Sequence, residues 1–440
     1  MDESQSGTGR SPAERPGFAS FWNRRSKSCD RAPLAQSNGR TQLCVIGAVP
    51  EVCVFTIALK MLLGDRSKYF GILMGVALAS FVITWQGAIF VGLMSRTFAL
   101  LTDMGDPDIW VMDPKVQFID DVKPLPSTDL YRVRGIEGVA WAAPLYKGQT
   151  RARLSDGTFQ NCVLIGLEDA TLTGGPPEMV EGSVEDLRRA DGVIVDFVGA
   201  TTRLARPNPM LGGPRVPVKV GDELELNDRR AVVVGISRNT QSFQSNPTIY
   251  TTFSRATTFV PRERKLLSFI LVNATPGEDI QALCDRIERV SGLAAYTREE
   301  FKWKTVNYFM NNTGIPISFG ISVALGFVIG AVITGFMFFS FTIDNLRYLG
   351  TLKAMGTTNA MLMWMVLLQA IFVAVVGWGL GVGVASYMGT SAARNSPLAF
   401  RLPWQLLMTS GAAVLVICMA SAMISIRKVI RLEPAIVFKG

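Results

Sequence analysis

Apolar positions along the chain fall into two patterns. In the first, four stretches are apolar almost throughout: about 70–94, 317–343, 360–388 and 406–426, none with a charged residue. About 20 apolar residues cross the hydrocarbon core as a helix, and helices of soluble proteins rarely avoid charge for so long. The spacing therefore predicts four transmembrane helices. The second pattern fills 95–316, where short β-branched runs alternate with helical spacings. Val218–Ser237 predicts a hairpin turning at Asn227 and Asp228, and Asn161–Leu167 and Gly192–Phe197 predict further strands.

A repeat shows at the two ends of that region. Asp108–Leu145 reads as strand (IWVM), loop, helix ending RGIEGVA, strand (WAAPLY). Leu266–Glu299 reads as strand (LSFILV), turn, helix ending RVSGLA, strand (AYTRE), with Ile280, Leu283, Ile287 and Val290 on one helical face. Two βαβ-like units around a β-rich insertion predict an α+β domain. The expected fold class is thus four membrane helices with a large α+β extracytoplasmic domain between the first and second.

Orientation follows from Lys and Arg near the span ends. Arg66 and Lys68 precede span one, Arg347 and Lys353 lie between spans two and three, and Arg427, Lys428, Arg431 and Lys439 follow span four. The loop 389–405 holds only Arg394 and Arg401. Both termini are expected in the cytoplasm, with 95–316 outside. Residues 1–53 are rich in Ser, Arg, Gly and Pro, show no apolar period and read as a disordered extension. Within 54–69, the run FTIALKMLL at 55–63 predicts a short amphipathic helix on the cytoplasmic membrane surface.

Composition narrows the chemistry. The net charge of +8 lacks the aromatic-studded basic face of a nucleic-acid binder, so it is assigned to membrane headgroups and cytoplasmic loops. There is no His, which removes the commonest general base and zinc ligand. Asp120 and Asp121 are adjacent, and on a strand they would point to opposite faces. No catalytic, metal or cofactor-binding residues are assigned. No two of the six Cys are spaced C-x-x-C; Cys162 and Cys284 share the outside region, either as a disulfide or as two buried thiols. No G-x-x-x-x-G-K-[ST] occurs, so ATP binding of the P-loop kind belongs to another chain.

Two features concern helix contacts. Small residues four apart, Gly71 and Gly75, Gly326 and Gly330, Gly379 and Gly383, allow close helix approach. The cytoplasmic segment 344–359 carries Leu346, Leu349, Leu352 and Met355 at helical spacing, with Arg347 and Lys353 adding charge and Gly356 as terminator. It is either an interfacial helix on lipid or a docking helix for an ATPase.

The stretch LRYLGTLKAMGTTNAMLMWMVLLQA and the ending RKVIRLEPAIVF resemble ABC permeases of the FtsX/MacB type. The opening TIALKMLLGDRSKYFGILMGVALASFVITWQGAIFVGLM is most similar to their DevC branch. The resemblance implies a homodimer in a bacterial inner membrane, paired with a P-loop ATPase that holds ATP and Mg. It also implies a periplasmic membrane-fusion adaptor and an outer-membrane duct, with export of a lipid, glycolipid or hydrophobic small molecule. The FtsX alternative is a scaffold that relays ATPase state to a periplasmic hydrolase and transports nothing. Carried over by match, Arg347, Tyr348, Leu349, Gly350, Leu352, Lys353, Met355 and Gly356 form the ATPase-coupling segment. Asp344 and Asn345 stand where many relatives have a more acidic pair.

Overall fold

The computed structural model describes residues 60–430 except 63, 65, 106, 155, 209–212, 214, 261–265 and 396–397. The 1–53 extension, residues 54–59 of the amphipathic segment and residues 431–440 of the tail lie outside the described residues. Helices of eight or more residues are α1 (Arg66–Thr97), α2 (Ser127–Arg134), α3 (Ile280–Ser291), α4 (Arg298–Asn312), α5 (Ile315–Asp344), α6 (Leu346–Ala354), α7 (Asn359–Asn395) and α8 (Trp404–Ile430). Strands are β1 (Ile109–Met112), β2 (Val139–Arg153), β3 (Phe159–Leu167), β4 (Glu178–Glu181), β5 (Gly192–Asp196), β6 (Glu223–Leu226), β7 (Arg229–Arg238), β8 (Thr248–Thr252), β9 (Phe269–Ala274) and β10 (Ala294–Thr297).

Helices α1, α5, α7 and α8 are long and apolar enough to cross a membrane. They run past the predicted apolar cores: α1 has 32 residues, about 48 Å at about 1.5 Å per residue. Helix α1 packs against α5 and α7, and α8 packs against both of those. Glycine sets the closest contacts. A Cβ at Gly330 would lie 2.4 Å from Cβ of Ala79, one at Gly326 2.6 Å from Val82, and one at Gly75 2.8 Å from Ile333. Gly71 meets Met337 at ordinary contact distance. The α7 expectation needs correcting. Gly379 and Gly383 meet nothing within 4 Å, whereas Gly377 and Gly381 sit against Val76 and against Ala77 and Ser80 of α1. Two four-residue glycine spacings interleave in GWGLGVG. A two-residue offset turns a helix about 200°, so only one of them can face α1.

Hydrogen bonds add specificity where apolar contact alone gives little. Ser80 Oγ donates to the Trp378 carbonyl, and Trp378 Nε1 donates to Ser410 Oγ, each at 3.2 Å, joining α1, α7 and α8. Ser425 Oγ donates to the Phe338 carbonyl at 3.0 Å, tying α8 to α5. The short α7–α8 loop folds back onto α1. The Arg401 N–H donates to the Ala88 carbonyl, and the Ala399 backbone crosses so close to Gly92 that a Cβ there would sit 2.3 Å from its oxygen.

The domain between α1 and α5 has two parts joined by one long strand. The first half of β2 belongs to an antiparallel sheet ordered β10-β1-β9-β2. With α2 after β1 and α3 after β9, this is a split βαβ pair of the ferredoxin-like kind. The repeat seen in the sequence is therefore physical: each copy supplies two strands and a helix. Leu130 and Val133 of α2 and Leu283 and Ile287 of α3 cover one sheet face. Ile280 and Val290, expected on the same face of α3, are exposed, and Cys284 and Ser291 take their places.

The second half of β2 enters a closed barrel. It pairs with β3, β3 with β8, β8 with β5, β5 with β7 and β7 with β6. Strand β6 then returns to β2 at Ala152–Leu226 and Arg153–Glu225, closing six strands with no free edge between them. The β6–β7 turn falls on Asn227 and Asp228, both at positive φ (49° and 62°), as a two-residue hairpin requires. Cys162 lies in the barrel core and Cys284 under α3; both are free thiols. Burial, the larger effect, and nearby carboxylates push both up to about 12, so neither is a ready thiolate. Asp120 and Asp121 lie in a turn rather than a strand, and each pairs with its own lysine, Lys147 and Lys123.

The α1–α5 contact predicts a selective defect. Gly330→Leu should destabilise the bundle by about 1–3 kcal/mol through overpacking, while Gly379→Leu should leave the single chain's stability unchanged. Unfolding in graded SDS checks this; equal losses would contradict the helix faces assigned above.

Candidate functional site

The end of the bundle away from the α+β domain carries the segment between α5 and α7. Helix α5 stops at Asp344, where the Asn345 amide folds back and donates to the Phe341 carbonyl at 2.8 Å. Asp344 is not idle: its carboxylate meets Lys68 Nζ of α1 at 2.7 Å, with both side chains about 40% exposed. A half-exposed pair of this kind contributes at most about 1 kcal/mol, but it fixes the start of α1 beside the end of α5.

Helix α6 follows at once. Its end is set by Gly356, at φ +95°. The Gly356 N–H donates to the Lys353 carbonyl and the Thr357 N–H to that of Leu352, the paired bonds of a Schellman stop. Thr358 then caps α7, its hydroxyl accepting from the Met361 N–H at 3.3 Å. The segment is thus a short rigid helix with a defined stop at each end, fixed by backbone chemistry.

The faces of α6 differ from the sequence reading. Leu349 is buried, and Leu346 and Leu352 pack beside it against the membrane-bundle core. The leucine stripe therefore holds α6 to its own bundle and is not its outward face. Gly350 and Lys353 are half-buried at its margins. The outward face is Arg347, Tyr348 (59% exposed), Thr351 and Met355 (74% exposed). Helical spacing alone cannot say whether a leucine stripe faces inward or outward. The outward residues centre on the side across from Leu349, but Leu352 lies only about 40° around the helix from Tyr348, so packing and not spacing decides. Thr351 completes that face and was not among the residues singled out from sequence. Of the glycines singled out for packing, those of α1 and α5 come together and those at 379 and 383 do not.

Comparison with known proteins places both halves of the chain. Residues 70–290 match the family of MacB-like periplasmic core domains. Residues 320–434 match the FtsX-like permease C-terminal family. An uncharacterized ABC transporter permease of Mycobacterium tuberculosis, found in strains CDC 1551 / Oshkosh and H37Rv, is 24% identical over 321 residues, 72% of this chain and 80% of that protein. Among solved structures, the periplasmic region of MacB from Actinobacillus actinomycetemcomitans aligns at 15% identity and TM-score 0.33, covering 48% of this chain and 96% of that one. The extracellular domain of the noncanonic ABC-type transporter YknZ from Gram-positive bacteria aligns at 11% identity and TM-score 0.31, covering 43% and 99%.

The burial of Leu349 yields a test. Leu349→Asp should unfold or aggregate the bundle, because it buries an unpaired carboxylate at a cost of several kcal/mol. Tyr348→Asp should leave it monodisperse. Size-exclusion profiles in detergent decide it; the opposite ranking would mean α6 lies the other way up.

Proposed function

Because this chain belongs to the ABC transporter permeases of the FtsX/MacB type, we propose that it is the membrane subunit of an export complex driven by a separate P-loop ATPase. ATP and Mg bind on that partner. The observation that carries the proposal is α6: a short, doubly stopped helix at one end of the bundle, held by Leu349 and presenting Arg347, Tyr348, Thr351 and Met355 outward. A rigid element passes force without deforming, and Lys68–Asp344 together with the α6 stops make this end rigid. In this reading both termini and α6 are cytoplasmic, in line with the Lys and Arg bias. The α+β domain lies outside, where it engages a membrane-fusion adaptor and, beyond it, an outer-membrane duct.

A second copy completes the permease. The apolar cores of the spans hold no Asp, Glu, Lys or Arg for ion coupling, which favours ATP as the energy source. The cargo in this reading is a lipid, glycolipid or hydrophobic small molecule, supported by the likeness of the opening stretch to the DevC branch.

The docking face is tested in the assembled complex. Tyr348→Glu combined with Met355→Glu should lower permease-dependent ATPase activity about tenfold or more, equivalent to about 1.4 kcal/mol of lost coupling. Chain expression and monodispersity should be unchanged. Unaltered ATPase activity would remove α6 from the interface.

A further inference from the structure

At the domain end of the bundle, one loop touches the α1 extension, α4 and the barrel, three parts that also share an apolar core through Leu101, Phe301 and Tyr250. This loop is the β7–β8 connection, residues 239–247, taken together with Thr248, the first residue of β8. Its first contact is with the extension of α1. That helix ends at Thr97, the helical path is interrupted at Phe98, and a further turn, Ala99–Asp103, carries on toward the domain. Arg96 Nη1 donates to Ser245 Oγ at 2.9 Å. Asp103 accepts twice from one loop residue, from the Thr240 N–H at 2.8 Å and the Thr240 hydroxyl at 2.7 Å. A carboxylate taking both donors of a residue fixes its orientation as well as its distance.

The second contact is with α4, the helix that leads into α5. Phe243 packs on Phe309 with ring centroids 5.0 Å apart, and Phe309 in turn meets Phe118 and Tyr308. The α1 extension and α4 are themselves linked. Lys302 lies over the Phe98 ring at 5.2 Å, and Arg298 Nη1 donates to the Gly105 carbonyl at 3.1 Å. The third contact is with the barrel. Arg203 Nη1 donates to Asn246 Oδ1 at 3.0 Å. The Thr248 N–H donates to Asp196 Oδ1 at 2.7 Å, while Oδ2 of the same buried carboxylate caps the turn after β5 by accepting from the Gly199 N–H. Within the loop, the Asn246 N–H donates to Ser242 Oγ, and Ser245 is held at φ +53°. A non-glycine residue in that region costs free energy and persists only where its surroundings hold it there.

We infer that the 239–248 loop is the polar joint that, beside the shared apolar core, fixes how displacement of α1 and α4 reaches the barrel, with Arg96, Asp103 and Phe243 as its positioning residues. The loop is short and bonded on both sides, so a shift of the α1 extension moves β7 and β8 with it. Both of those strands belong to the closed ring, where no free edge absorbs the motion. The inference takes from the proposed function only that α1 and α5 move when the ATPase works; the joint exists without ATP.

Distances measured by pulsed electron paramagnetic resonance in lipid nanodiscs test it on the full chain, with the six native cysteines replaced and no ATP added. One spin-label pair spans the joint, at Asp156→Cys on the barrel hairpin and Ser318→Cys at the domain end of α5. A second pair, Asp156→Cys with Glu181→Cys, lies on the barrel side alone. With the joint intact, both pairs should give one narrow distance. Asp103→Ala with Thr240→Val, and separately Phe243→Ala, should broaden the spanning distance and leave the second pair narrow. A narrow spanning distance in both variants would overturn the inference. Broadening of both pairs would overturn it as well, since the loop would then be a support of the barrel's own fold. Failure of the ATPase reading would leave this outcome unaffected.

Discussion

In hydrocarbon there is no hydrophobic drive to press one apolar helix against another, because lipid tails solvate leucine as well as leucine does. What remains is the gain from close packing and the few hydrogen bonds that helices can share. Close packing depends on where the backbone can approach. Helix α1 is approached from one side by Gly326 and Gly330 of α5 and from the other by Gly377 and Gly381 of α7. The returning loop at Ala399 crosses it at Gly92. Every other feature of the molecule is hung from this central helix. The α+β domain continues from one of its ends, and Lys68 at the other holds the end of α5 from which α6 starts.

In that arrangement both ends of the bundle carry charged or backbone fastenings, and between them lie uncharged polar groups: hydroxyls, the Trp378 indole and the Gln86 and Gln369 amides. At the α6 end the fastenings are an ion pair and a Schellman stop. At the domain end they are the contacts of the 239–248 loop. Burial raises the Asp103 carboxyl above the usual carboxylate range, and the two bonds from Thr240 partly offset it. A half-buried carboxylate with two donors is held in place, and its position reports where the α1 extension stands.

Much of this was legible in the chain. A charge-free run of membrane length suits lipid and little else, so all four spans appear where expected. The two strand–helix–strand copies were visible because each carries its own β-branched run and its own G-terminated helix. The barrel was not. Its closure rests on two residue pairs between β2 and β6, and no local pattern signals which strands will meet across the 74 positions from Ala152 to Leu226. The α7 glycines were legible as a motif and not as a face, because GWGLGVG satisfies the spacing in two registers. The α6 leucines show the same ambiguity. A periodic stripe says that one side is apolar, but beside a membrane bundle the apolar side can face the bundle, the lipid or a partner. Tertiary packing alone chooses among them, and it buries Leu349.

The central claim, that this permease works by carrying an ATPase's movement across the membrane, is tested most directly by what the intact chain holds on to. The tagged full-length protein would be purified in mild detergent, with and without crosslinking in intact membranes, and its companions identified by mass spectrometry. The account predicts a P-loop ATPase in stoichiometric amount, crosslinked through the Arg347–Met355 face. A chain that comes away without any ATPase, even after crosslinking, would contradict it.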